Sequence, residues 1–425
     1  MDNTGSFSSK PAPKKNKRQK KARSKKKILI IILIVLLITV LAAGGYWYYS
    51  KSKTAQTPAS NNQANATQAD NTPKRTGTIK MVAVGDSLAF DSLTNTAKKP
   101  DGSYDYAPMM SNFTPYFQKA DVRVCNETTP GGGQNDGLSL SGYPTFNAPL
   151  GWNTSFPAVG CNVMNLASEH TNDKGQTAIN NMLKSLGEQK SLLATAGANS
   201  STDEQNKIRY FTVKDVVFAY LAYTTTSANK DGQPYGVNIY SESLADQQIA
   251  EARKKANLVI VSINWGSENG TEISADQDKI AQHLADQNAD VVLGGGPRVL
   301  QPVKILSGKS GHQSLVWFSL GNFLNSMTGN NNLVGGMAIM EFDANSLKLN
   351  DPKLMPVYMH YEWTAQQKAS NNVAARTNFK LYPLDQAEPL LPKTQLNTTV
   401  AALTSQVNAT ITKFAPIKVI TSSEY

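Results

Sequence analysis

The chain has 425 residues, enough for two or three domain-sized units, and a formal net charge of +10. That charge is confined to one end. Residues 1–27 hold eleven Lys/Arg against the single acid Asp2, and the rest of the chain balances 31 basic with 31 acidic residues. The basic character thus belongs to the tail rather than to the folded part as a whole, and no nucleic-acid partner is expected.

In chain order, the basic tail 1–27 is followed by an uncharged apolar run, Ile28–Tyr49, ending in Tyr46-Trp47-Tyr48-Tyr49. At about 1.5 Å per residue this run spans a bilayer's hydrocarbon, and the aromatic end suits the far interface. The lysines on the near side predict a cytoplasmic N-terminus and a main domain outside the cell membrane. The run exceeds the usual apolar length of a cleaved leader, so a single-pass signal anchor is expected. Residues 50–78 are rich in Ser, Thr, Asn, Gln and Ala and read as a flexible stalk.

Beyond the stalk, strand-like and helix-like segments alternate. Thr78–Ser87 predicts a buried strand ending in Gly-Asp, and residues 107–120 a helix. Residues 121–128 and 162–170 predict two more strands. Residues 174–189, with Ile179, Met182, Leu183 and Leu186 at helical spacing, predict a helix. Then come a strand at 214–224, a helix at 244–256, a strand at 257–268, a helix at 273–289 and a strand at 290–296. A last apolar run covers 314–324. This alternation predicts an α/β sheet with much parallel pairing. Residues 79–345 are expected to form the main domain, with 346–425 an extension packing on it or completing it.

Polar residues cluster just after the strands: Asp86; Asn126 and Glu127; Asn165, Glu169 and His170; Asn264 and Glu268; then the glycine loop Gly294–Gly296 with Arg298. In open α/β sheets ligands bind beyond the carboxyl ends of strands. Five segments would thus bring carboxylates, amides and one imidazole to one rim, the layout of a metal or anion site. Cys125 and Cys161 both fall in the outer part. An oxidising compartment permits a disulfide between them, and two buried free thiols fit the sequence nearly as well. Ser87 after Gly-Asp is similar to the start of some lipases. That chemistry needs a late Asp-x-x-His, and Val357 stands where His360 would require the Asp.

The segments AVGDSLAFD, DVRVCNETTPGG, NVMNLASEHTNDKG, VIVSINWGSE, ADVVLGGGPRVLQPV and LVWFSLGNFL jointly resemble the bacterial capsule-synthesis family CapA, in order from about Ile79 to Leu324. The family includes a component of poly-γ-glutamate synthesis. The resemblance implies a calcineurin-type metallophosphoesterase-like fold, two packed sheets flanked by helices, here behind one N-terminal transmembrane helix. It also implies a metal centre built on Asp86, Glu127, Asn165, His170 and Asn264, with Asp86 and His170 as the catalytic pair.

The chain departs from the family pattern at three expected histidines, which are Asn264, Gly296 and Arg298 here. The surviving oxygen-rich set suits at most one hard divalent cation, manganese, magnesium or calcium. Arg298 with the amides of Gly295 and Gly296 suits an anionic group instead. Two functions are therefore expected in competition. The first is a membrane protein that makes, exports or tethers an anionic polymer such as capsule material or poly-γ-glutamate, beside other synthase subunits. The second is a metal-dependent hydrolase of phosphoesters or peptides using Asp86, Glu127, Asn165 and His170. A non-catalytic interaction scaffold is a third.

Overall fold

A computed structural model describes residues 75–229 and 232–425. The basic tail, the expected membrane span and most of the expected stalk lie outside the described residues. Among the described residues no helix is long and apolar enough to cross a membrane.

The fourteen strands are β1 (Thr78–Ser87), β2 (Val122–Glu127), β3 (Val163–Asn165), β4 (Ala194–Ala196), β5 (Arg209–Val213), β6 (Val216–Thr224), β7 (Leu258–Asn264), β8 (Val291–Gly295), β9 (Val303–Ser307), β10 (Gln313–Trp317), β11 (Val334–Asp343), β12 (Leu349–Glu362), β13 (Thr377–Pro383) and β14 (Lys418–Val419). They form two sheets. The first runs β13-β12-β11-β1-β2-β3-β4, with β14 beside β12, and the second runs β5-β6-β7-β8-β10-β9. Each has a parallel centre, β1 to β4 in one and β6, β7, β8 and β10 in the other, flanked by antiparallel strands. The two-sheet α/β architecture expected from sequence is thus present. Residues 346–425 supply β12, β13 and β14 to the first sheet.

The central strands are apolar over most of their length because both their faces are covered. In β7, Leu258 and Ile260 join the core that includes residues of both sheets, while Val259, Val261 and Ile263 join a second cluster. The helices Glu242–Arg253 and Ala275–Asp286 close that second cluster with Ala245, Ile249 and Ala252 and with Ala281 and Leu284, the three-to-four spacing of one helix face. Ser274 starts the second of these helices with a full capping box, its side chain and that of Gln277 exchanging backbone bonds.

Three expectations change. Residues 107–120 are not one helix but short turns, Ala107–Met110, Ser111–Phe113 and Thr114–Phe117. Pro115 lacks the N–H that a continuous helix would use, and its ring crowds the preceding turn. The strand expected at 162–170 stops at Asn165, and the remainder is a loop carrying Ser168–His170. Strand β5 went unseen; it forms a hairpin with β6 across Lys214 and Asp215, both at positive φ as a tight hairpin turn requires. His360 is buried on β12.

Candidate functional site

Register decides which polar residues meet. Asp86 on β1 pairs with Asn126 on β2, which pairs with Asn165 on β3. Successive side chains of a strand point to opposite faces, so these three stand in one row and Ser87 and Glu127 stand on the other face. The row is hydrogen-bonded: Asn126 Nδ2 donates to Asp86 Oδ1 at 2.5 Å, and Asn165 Nδ2 donates to Asn126 Oδ1 at 2.9 Å.

The second sheet meets this row at its own strand ends. Asn264 on β7 pairs with Gly295 on β8. The backbone N–H of Gly296 donates to Asp86 Oδ2 at 2.8 Å. Glycine is needed at 295 because a Cβ there would run into the Asp86 carboxylate and come within 2.8 Å of Asn126 Nδ2. At Gly296, φ is +106° and a Cβ would sit 2.5 Å from the Trp265 carbonyl. An imidazole at position 296 therefore has no room on this backbone.

Arg298 fills the space in front of Asp86. Its Nη1 lies 2.8 Å from Asp86 Oδ2, its Nη2 is bonded to Glu169 Oε1, and Arg298 as a whole is 2% exposed. Its φ of 63° is in the left-handed region. The carbonyl of this strained residue accepts from Asn322 Nδ2 at 3.0 Å and from Asn332 Nδ2 at 3.1 Å, which fixes the turn.

Electrostatics follow from this enclosure. Burial pushes the Asp86 carboxyl up, and Arg298 and the Gly296 amide pull it back only in part. Burial also opposes ionisation of Glu169, but the Arg298 guanidinium, helped by His170, holds it below its ordinary range. Burial alone would lower Arg298, yet Glu169 and Asp86 keep it above its ordinary value. Glu127 differs. Fully buried on the opposite face, it is pushed well up by desolvation, and neither carboxylate oxygen has a hydrogen-bond partner among the described residues.

His170 stands at the mouth. Its Nδ1 is 2.9 Å from Asp173 Oδ2 and its Nε2 is 3.7 Å from Glu169 Oε1. Its ring meets Phe146 edge-on at 4.7 Å. His170 and Arg298 line an open cleft of about 470 Å³, with Phe90, Tyr143 and Phe146 on one side and Glu268, Asn269 and Asn332 on another.

The expected metal set is thus divided. Asp86 and Asn165 share a row with Asn126, which the sequence reading left out of the ligand set. Asn264 lies across from them beside Gly296, its Nδ2 unpartnered among the described residues. Glu127 faces away, and His170 is tied to Asp173. Every group reaching the Asp86 carboxylate is a hydrogen-bond donor: a guanidinium, an amide N–H and a side-chain amide. Such surroundings suit an anion, and a guanidinium at this position repels a divalent ion, so the residues as placed do not fit the expected cation. Two of the three groups expected to bind an anion, Arg298 and the Gly296 amide, hold the protein's own Asp86 carboxylate. Strand parity held the missed signal, since only one of two adjacent residues, Asn126 or Glu127, can share a face with Asp86.

Residues 80–327, more than half of the chain, match the family described as bacterial capsule synthesis protein PGA_cap. The chain is 31% identical over 166 residues to the PGA biosynthesis protein CapA of Bacillus subtilis (strain 168), covering 38% of this chain and 42% of that protein. It is 31% identical over 174 residues to the capsule biosynthesis protein CapA of Bacillus anthracis, covering 39% of this chain and 40% of the relative. The matches thus span less than half of each relative. Among solved structures, a phosphatase from Mycoplasma pneumoniae is similar at a TM-score of 0.43 and 13% identity, over 66% of this chain and 94% of that one. A 5'-nucleotidase from Staphylococcus aureus, solved with alpha-ketoglutarate and described only provisionally, is similar at 0.40 and 14%, over 66% and 54%. Neither likeness is close enough to bear on activity. The family match to the two-sheet domain and its strand-end rim places the protein in a single group: the chain belongs to the bacterial capsule synthesis protein family of the CapA proteins.

Proposed function

We propose that this protein serves the making, export or tethering of an anionic envelope polymer of the capsule or poly-γ-glutamate kind. In this reading Ile28–Tyr49 anchors it and the described domain works outside the cell membrane. The strand-end rim is an internally paired charge cluster, not a hydrolytic metal centre. Family membership supports the polymer role. The Cys125–Cys161 disulfide supports an oxidising compartment, in line with the basic tail before the apolar run. One observation carries the reading of the rim: the buried Arg298 guanidinium bridges Asp86 and Glu169.

The test is complementation of a strain that lacks the protein. Surface polymer and protein level are measured with the wild-type chain and with Asp86→Asn/Glu169→Gln/Arg298→Met, which removes the three charges together. The expected result is that loss of the protein abolishes the polymer and that both chains restore it. If the variant accumulates normally yet restores no polymer, the rim acts on a ligand and the hydrolase reading takes its place. If loss of the protein leaves the polymer unchanged, the polymer role itself is wrong.

A further inference from the structure

The rim has no cation to spare. One guanidinium faces both Asp86 and Glu169, and Asp173 and Glu268 lie close by with only His170 added. An acidic chain must find its contacts elsewhere on the domain.

A second cleft, of about 560 Å³, lies at the β12–β13 edge of the first sheet. Its walls are the turn after the helix Asp91–Ala97 on one side and β13 with the Leu390–Lys393 turn on the other. Four lysines line it, Lys98, Lys99, Lys380 and Lys393, against two acids, Asp105 and Glu362. The acids are already engaged: Lys99 is 4.0 Å from Asp105, and Glu362 takes Lys393 at 3.3 Å and Asn378 Nδ2 at 2.9 Å. Lys98 and Lys380 have no ion pair among the described residues, and Lys380 is half-buried. Beyond residue 27 the chain has equal numbers of acids and bases, so this local surplus is not a by-product of composition.

The floor is built to stay put. His360 is buried, with Nδ1 3.0 Å from Thr394 Oγ1 and its ring edge-on to Tyr382 at 5.9 Å. Burial lowers its pKa, and Glu362 offsets this only in part. The imidazole is therefore a neutral floor, and the positive charge is on the walls, on flexible ammonium groups. Ammonium groups bind carboxylates as point charges without fixed geometry, which suits successive carboxylates of an extended chain.

We infer that the cleft between Lys98 and Lys380 binds the carboxylates of an acidic polymer. The inference rests on the proposed polymer role only for the identity of the anion. It is tested with the full-length protein and poly-γ-glutamate oligomers, by calorimetry at low and high salt, for the wild type and for Lys98→Ala/Lys380→Ala. Salt-sensitive binding is expected in the wild type, weakened about tenfold or more in the double variant. Binding that is absent from the wild type, or equal in the two proteins, overturns the inference. Equal salt-sensitive binding of polyphosphate, lost in the same variant, would show a site for any polyanion and overturn the carboxylate assignment. Complementation separates this from the wider reading: a wild-type chain that restores surface polymer while its cleft binds no oligomer fails here alone.

Discussion

The guanidinium of Arg298 lies 2.8 Å from the carboxylate of Asp86, with the Arg298 backbone at φ 63° and both residues sealed from solvent. A left-handed arginine costs on the order of 1–2 kcal/mol of backbone strain. The two asparagine amides on its carbonyl and the two carboxylates on its guanidinium hold it there. The pair joins the strand ends of the two sheets, β1 in one and the loop after β8 in the other.

Removing one partner of such a pair should cost far more than removing all of it. Arg298→Met leaves the buried Asp86 and the partly exposed Glu169 without their cation, and a loss of about 3–5 kcal/mol is expected. The triple variant Asp86→Asn/Glu169→Gln/Arg298→Met leaves no charge behind and should recover most of that loss. Denaturant unfolding of the variant set measures both. If Arg298→Met is as stable as the wild type, the three charges are solvated and the rim is open.

The sequence shows this architecture in outline because two signals are local. Apolar runs such as Thr78–Ser87 and 290–296 carry their own burial, and turn residues mark their ends. Strand-end polarity then points to a rim. The details are not local. Whether Asn126 or Glu127 joins Asp86 depends on pairing register. That Arg298 turns inward onto Asp86 depends on a positive-φ turn held by Asn322 and Asn332, residues 24 and 34 positions later in the chain. The lysine cleft joins residues 98–99 to residues 380 and 393, a proximity that no periodicity reveals.

Glu127 predicts a pH dependence. In the unfolded chain it ionises in the ordinary carboxylate range, whereas burial in the folded chain keeps it protonated to higher pH. Between those two values the folded state binds a proton that the unfolded state has released, so stability falls as pH rises. The contribution is complete below the unfolded value and is lost as pH climbs through the folded one. Asp86 acts in the same direction and Glu169 in the opposite one. Glu127→Gln should flatten the decline that sets in above the ordinary carboxylate range. An unchanged slope in unfolding free energy against pH would mean that Glu127 ionises freely in the folded protein.

The disulfide predicts a redox dependence. Cys125, within β2, and Cys161, just before β3, close a segment with a sequence separation of 36. Loop-closure entropy of that size corresponds to about 3–4 kcal/mol. Cys125→Ala/Cys161→Ala should lose stability of this order, and adding reductant should then change nothing further. Equal stability of wild type and variant under oxidising conditions would remove the bond from any role in holding the strand ends.

Gly295 tests how closely the two sheets approach. A methyl group at this position meets the Asp86 carboxylate and comes within 2.8 Å of Asn126 Nδ2, on backbone held by β7 and β8. Gly187, at the end of the helix Gly175–Gly187, has nothing within 4 Å of a Cβ. Gly187→Ala should therefore be neutral or mildly stabilising, by restricting the unfolded chain. Gly295→Ala should cost roughly 1–3 kcal/mol by overpacking. It should also push Asp86 off Asn126, so that adding Arg298→Met to it costs less than Arg298→Met costs alone. Thermal unfolding of the single and combined variants measures each term. A Gly295→Ala protein no less stable than the Gly187→Ala control would mean that the sheets do not close on Asp86, and the reading of Arg298 as an internal lock would fail with it.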